Sequence, residues 1–96
     1  MIQKTYFKTK DYCKVKFTLK PGSAHKVAIA GLNGNWNAPV LMSRKKDGTF
    51  SCELSLPKNT EHQFKYLVDE TEWINDPEAD DQLENTYGTT NSVIVL

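Results

Sequence analysis

Tyr12-Cys13-Lys14-Val15-Lys16-Phe17-Thr18-Leu19-Lys20 alternates without a break: Cys13, Val15, Phe17 and Leu19 fall on one side of an extended chain, and Lys14, Lys16, Thr18 and Lys20 on the other. Successive side chains of a strand point to opposite faces, so this spacing predicts a strand with one face in a core and one in water. Pro21-Gly22-Ser23 supplies turn residues directly after it, and His25 to Gly31 returns as a second strand with Val27 and Ile29 inward. Upstream, Met1 to Lys8 is read as an earlier edge strand.

Downstream the same pattern repeats. Pro39 to Arg44 reads as a short strand carrying Val40, Leu41 and Met42. Lys45-Lys46-Asp47-Gly48 leads into Thr49 to Leu56, where Phe50, Cys52, Leu54 and Leu56 face inward. Asp-Gly between two such runs signals a hairpin, because both residues tolerate positive φ. Pro57-Lys58-Asn59 breaks the run, and His62 to Asp69 then sets Phe64, Tyr66 and Val68 against Gln63, Lys65 and Leu67. Asp69-Glu70-Thr71 turns into a brief strand holding Trp73; Asn75 to Thr90 is polar and irregular and reads as a long loop; Asn91 to Leu96 closes the chain with a final strand. Roughly six to eight short strands, turn signals at about ten-residue intervals and no helical periodicity predict an all-β fold, an immunoglobulin-like antiparallel β-sandwich.

The 96 residues suffice for one two-layer domain spanning 1–96 and not for two. Hydrophobic residues make up 39% and charged residues 25%, an ordinary balance for a folded domain. Lys plus Arg equals Asp plus Glu, 12 each, so no net field draws nucleic acid or anionic lipid, and neither partner is expected. Met1 to Lys10 lacks the apolar run of a signal peptide and no later stretch approaches a membrane span, so the expected location is cytoplasmic. Cys13 and Cys52 have no CxxC spacing and are read as free thiols buried on strands.

Catalytic chemistry finds no foothold. His25 and His62 lie at strand starts, away from any carboxylate or Cys at metal-ligand spacing, and read as solvated surface residues. Asp76, Glu78, Asp80, Asp81 and Glu84 lack the regular spacing and Gly of a calcium loop and read as a solvated acidic loop. No Gly-rich phosphate loop, nucleophile elbow or Cys-His pair is present, so no catalytic residue, metal or cofactor is expected and the chain is not read as an enzyme.

Binding residues are easier to find. Gly31-Leu32-Asn33-Gly34-Asn35-Trp36-Asn37 ends a strand in a loop, and four of the five residues before Trp36 are Gly or Asn, which reach left-handed conformations at low cost. Trp36 either folds back over one end of the core or stands out as a platform for a ligand. Lys65 points away from the core on its strand, Trp73 follows one turn later, and Asn91 opens the last strand after Tyr87-Gly88-Thr89-Thr90. Aromatic rings with a few planar or cationic hydrogen-bonding groups suit a sugar, whose C–H face stacks and whose hydroxyls need donors and acceptors. Lys65 on an exposed strand face is equally compatible with plain solvation.

The ordered set Val27-Ala28-Ile29-Ala30-Gly31, Asn35-Trp36-Asn37, Asp47-Gly48-Thr49-Phe50, Phe64-Lys65-Tyr66-Leu67-Val68-Asp69, Trp73, Asn75-Asp76-Pro77 and Gly88-Thr89-Thr90-Asn91-Ser92 resembles carbohydrate-binding module family 48. That family includes the glycogen-binding domain of the AMP-activated protein kinase β subunit and the early-set domains of isoamylases and branching enzymes. The resemblance runs from about Lys14 to Leu96 and lies in the order of the set, not in any one piece. It implies a sandwich of early-set type in which Trp36 and Trp73 stack on glucose rings of an α-1,4-glucan of glycogen or starch type. It further implies that Lys65 and Asn91 hydrogen-bond glucose hydroxyls with Thr89 assisting, and that Tyr87 stands where glycogen-binding members place an apolar residue against the curved glucan. The function implied is non-catalytic binding of an α-glucan oligosaccharide or polysaccharide. A second class stays open: a structural domain that docks on a glycan-active enzyme or kinase partner without binding glycan. Trp36, Lys65, Trp73 and Asn91 together distinguish the two, because docking does not require all four.

Overall fold

The computed structural model describes residues 1–96. In chain order the strands are β1 (Ile2–Tyr6), β2 (Tyr12–Leu19), β3 (Val27–Ala30), β4 (Val40–Leu41), β5 (Ser43–Arg44), β6 (Phe50–Pro57), β7 (Glu61–Val68), β8 (Glu72–Ile74), β9 (Asp81–Glu84) and β10 (Thr90–Val95), with one 3₁₀ turn at Leu32–Gly34. One sheet has the order β1-β2-β6-β5. The other runs β4-β3-β7-β10-β9, and β8 also pairs with β7. Every pairing is antiparallel, as the predicted sandwich requires.

The alternation in the sequence sets the layers. Cys13, Val15 and Phe17 of β2, Phe50 and Leu56 of β6, Val27 and Ile29 of β3, and Phe64, Tyr66 and Val68 of β7 join one buried cluster between the sheets. Phe64 meets Phe17 edge-on across the layers at 5.3 Å and Tyr66 within its own strand at 5.7 Å, the geometry aromatic quadrupoles favour. Both cysteines are free and lie on strands; Cys13 is buried and Cys52 half-buried, and burial pushes the Cys52 thiol up to about 11.

Four expectations about the strands and the acidic stretch need correction. The strand count is ten, above the roughly six to eight expected, because several strands have only two to four residues. Pro39–Arg44 is not one strand: Val40 and Leu41 pair with β3, Ser43 and Arg44 pair with β6, and the chain changes sheets at Met42, whose side chain enters the core. The Asn75–Thr90 stretch is not all loop, because Asp81–Glu84 forms β9 on the edge of β10. All four residues of β9 are exposed, so no apolar alternation marks it in the sequence.

The fourth correction concerns the acidic stretch. Asp76 is only 1% exposed. Its carboxylate accepts from the Tyr66 hydroxyl at 2.7 Å and from the Glu78 amide at 2.8 Å, while its own N–H donates to Ser92 Oγ at 2.9 Å. Asn75 beside it donates to Thr90 and accepts from Ser92 Oγ. A buried carboxylate is tolerated because each oxygen accepts a hydrogen bond and the Met1 ammonium lies 3.8 Å from Oδ2, while the bonds to Ser92 and Thr90 tie the chain after β8 to β10. Burial and the Asp76 carboxylate both push the Tyr66 phenol far above its ordinary value, so it stays a donor. No helix is long and apolar enough to cross a membrane.

Candidate functional site

The outward face of the larger sheet follows from its register. With Phe64, Tyr66 and Val68 turned inward, β7 presents Gln63, Lys65 and Leu67 on the other side. On β8, Trp73 pairs with Leu67; on β3, Ala30 pairs with Lys65. Because Ser92 pairs with Phe64, its neighbour Asn91 falls on the outward face with Lys65.

The Trp36 loop works as its composition suggests. Gly31, Asn33 and Gly34 all take positive φ, and the turn closes through Gly34 N–H to Gly31 O at 2.9 Å and Trp36 N–H to Gly34 O at 3.0 Å. The loop delivers the Trp36 indole over Gly31, whose missing Cβ makes the room. Trp36 takes no part in the buried cluster and is 37% exposed, and Trp73 is 46% exposed. The two rings lie 6.4 Å apart with planes inclined at 61°.

A hairpin forms the opposite wall. Between β9 and β10, the Asn85 carboxamide oxygen accepts from the amides of Tyr87 at 2.9 Å and Thr89 at 3.2 Å. Its Nδ2 donates to Thr89 Oγ1 at 2.7 Å and to Asn91 Oδ1 at 2.9 Å. Asn91 in turn donates to Gln63 Oε1 at 3.0 Å, and Lys65 Nζ donates to Thr89 Oγ1 at 3.4 Å. The turn lifts Tyr87 to its tip, where it is 89% exposed.

Trp36, Lys65, Trp73, Tyr87, Thr89 and Asn91 therefore line one open groove of about 1100 Å³. Reasoning from the sequence passed over the other residues on its wall, chiefly Gln63, Glu84 and Asn85. Gln63 shares the outward phase of Lys65, and Asn85 followed by Thr86-Tyr87-Gly88 carries the signal of an Asx turn, so both had a signal to give. Lys65 forms no ion pair and spends one ammonium hydrogen on Thr89 Oγ1, which leaves two for a ligand. No three His, Cys, Asp or Glu side chains converge as a metal site. His62 is half-exposed and not free in solvent: its Nδ1 accepts the Asn33 N–H at 3.3 Å, Nε2 faces Thr60 Oγ1 at 2.8 Å, and partial burial holds its pKa below the ordinary value.

A two-sheet sandwich that gathers exposed indoles and hydrogen-bonding side chains on one sheet face is the form of a carbohydrate-binding domain. Residues 13–96 match the family described as the glycogen recognition site of AMP-activated protein kinase, and the chain belongs to that family. No curated protein sequence matches the chain. Among solved structures, the fold is similar to the enterobactin esterase FES from Shigella flexneri, at TM-score 0.78 and 12% identity, over 99% of this chain and 32% of that one. Ferric enterobactin esterase from Salmonella typhimurium aligns at TM-score 0.76 and 12% identity, over 99% of this chain and 34% of its own. At that identity the likeness is one of fold, and the chain spans about a third of the length of these proteins.

Proposed function

We propose that this chain is a single, non-catalytic module that binds an α-1,4-glucan of glycogen or starch type in the groove between the two indoles and the β9–β10 hairpin. The observation that carries the reading is the pair Trp36 and Trp73, exposed with ring centroids 6.4 Å apart and planes inclined at 61°, in one groove with Lys65. The family description, a glycogen recognition site, supports an α-glucan, and rings inclined at 61° cannot both lie flat against one straight sugar ribbon. Trp36 and Trp73 stack on glucose faces, Tyr87 closes the far side, and Lys65, Thr89 and Asn91 bond hydroxyls. Asn91 keeps one amide hydrogen and one lone pair beyond its bonds to Gln63 and Asn85.

The energetics describe a weak binder. About 50 Å² of sugar C–H surface covered by each indole contributes about 1 kcal/mol per ring. Each hydrogen bond made in competition with water adds about 1 kcal/mol, and ordering opposes both. The dissociation constant expected is on the order of micromolar to millimolar.

The non-catalytic reading is supported by the family, which is described as a recognition site. A docking role on a glycan-active enzyme is the second reading. It is favoured by Val40 and Leu41, exposed on the edge strand β4 and outside the wall of the groove. Co-sedimentation with glycogen and amylose, against cellulose as control, tests the leading reading: retention on the α-glucans alone supports it, and equal recovery with cellulose or with none contradicts it.

A further inference from the structure

A second groove of about 440 Å³ also has Trp36 in its wall. It shares Trp36 and Gln63 with the first, so the two adjoin at these residues. Its remaining walls come from the Gly31–Gly34 turn, the start of β7 at Glu61 and His62, and Leu83 of β9.

Its polar groups are free in a selective way. His62 is committed on both ring nitrogens, to the Asn33 N–H and to Thr60 Oγ1, so it is a wall and not a ligand. Asn33 spends only its backbone N–H in that contact, and its exposed carboxamide bonds nothing else in the chain. Glu61 is exposed and forms no ion pair. Gln63 accepts from Asn91 through Oε1 and keeps its amide hydrogens. Leu83 adds an exposed apolar surface to the same groove.

An unpaired carboxylate accepts from two adjacent hydroxyls at once, a carboxamide donates and accepts, and Leu83 with Trp36 offers C–H contact. Vicinal diols of a neutral sugar answer all three. A phosphate would meet the Glu61 charge, and a hard cation would find one carboxylate where it needs several oxygens.

Resting on the reading of the main groove, we infer that this second groove is a further sugar subsite, which holds units of the same glucan chain after it passes Trp36. Asn33 and Glu61 are its hydrogen-bonding residues, and Trp36 is the wall common to both.

Calorimetric titration with maltotriose, which fills only the main groove, and with maltodecaose, which reaches both, tests the inference. Glu61→Ala is the variant, because Asn33 also shapes the turn that carries Trp36. It should weaken maltodecaose binding by roughly threefold to tenfold and leave maltotriose binding as in the wild type. Wild-type affinity for maltodecaose in Glu61→Ala would overturn the subsite, and so would an equal loss for both sugars. Failure of the wild-type protein to bind maltotriose would instead overturn the reading of the main groove, and this inference with it.

Discussion

A Cβ placed on Gly31 would stand 2.7 Å from Cζ2 of Trp36 and 2.5 Å from the carbonyl oxygen of Gln63. The seat of the indole is thus made by a missing methyl group on β3's exit, and φ of 102° at Gly31 independently disfavours any L side chain. Gly31→Ala should displace Trp36, weaken glucan binding at least about tenfold, and lower stability by roughly 1–3 kcal/mol through backbone strain. Gly34→Ala is the control: its φ is also positive, but nothing lies within 4 Å of the added carbon. Thermal unfolding beside a glucan titration separates the two, since Gly34→Ala should show the strain without comparable loss of affinity.

Asn85 governs three groove residues through one carboxamide, holding the Tyr87 amide, the Thr89 amide and hydroxyl, and Asn91 Oδ1. Asn85→Ala should cost about tenfold in glucan affinity while the melting temperature moves little, because this turn stands at an exposed edge. Asn85→Asp keeps the acceptor for both amides and loses the Nδ2 donors, so it should fall between wild type and Ala. Unchanged binding in Asn85→Ala would show that the hairpin holds its shape without that side chain.

Tyr66 and Asp76 form a buried pair at 2.7 Å beneath the groove. Tyr66→Phe leaves one oxygen of a buried carboxylate without its donor, at a cost of about 1–3 kcal/mol in denaturant unfolding. A variant as stable as the wild type would mean that another donor reaches Asp76.

Asp69 accepts the His25 amide at 2.8 Å and the Lys26 amide at 2.9 Å, and these two bonds hold its pKa below the ordinary carboxylate value. A depressed folded pKa adds stability that is fully present above the unfolded value and is lost as pH falls through the folded one. The unfolded value is near 4, so the wild type should lose this contribution as pH drops below about 4. Asp69→Asn keeps the left-handed φ and an acceptor oxygen but has no charge to titrate. The stability gap between wild type and Asp69→Asn, measured by denaturant unfolding across pH, should therefore narrow on acidification; a constant gap would contradict the assignment.

The long strands were legible because each buries one face: the alternation of Cys13, Val15 and Phe17, or of Phe64, Tyr66 and Val68, is a direct imprint of the core. Where both faces are wet, as in β9, or where the chain changes sheets at Met42, no such imprint exists. Lys65 could be turned outward from strand phase alone, whereas the side on which Trp73 stands needs its pairing with Leu67. The burial of Asp76 could not, since it depends on a hydroxyl ten residues earlier in the chain and a serine on another strand. Asn85 had a readable turn signal, but its hold on Asn91 needs the pairing of β9 with β10.

The most direct test of the account is a titration of β-cyclodextrin, a curved α-1,4-glucan, followed by Trp fluorescence, with cellohexaose as control and Trp36→Ala and Trp73→Ala as variants. The account predicts a saturable change with β-cyclodextrin and none with cellohexaose, and a loss of about tenfold or more in affinity for each variant. No response at millimolar β-cyclodextrin, or wild-type affinity in Trp36→Ala, would contradict it.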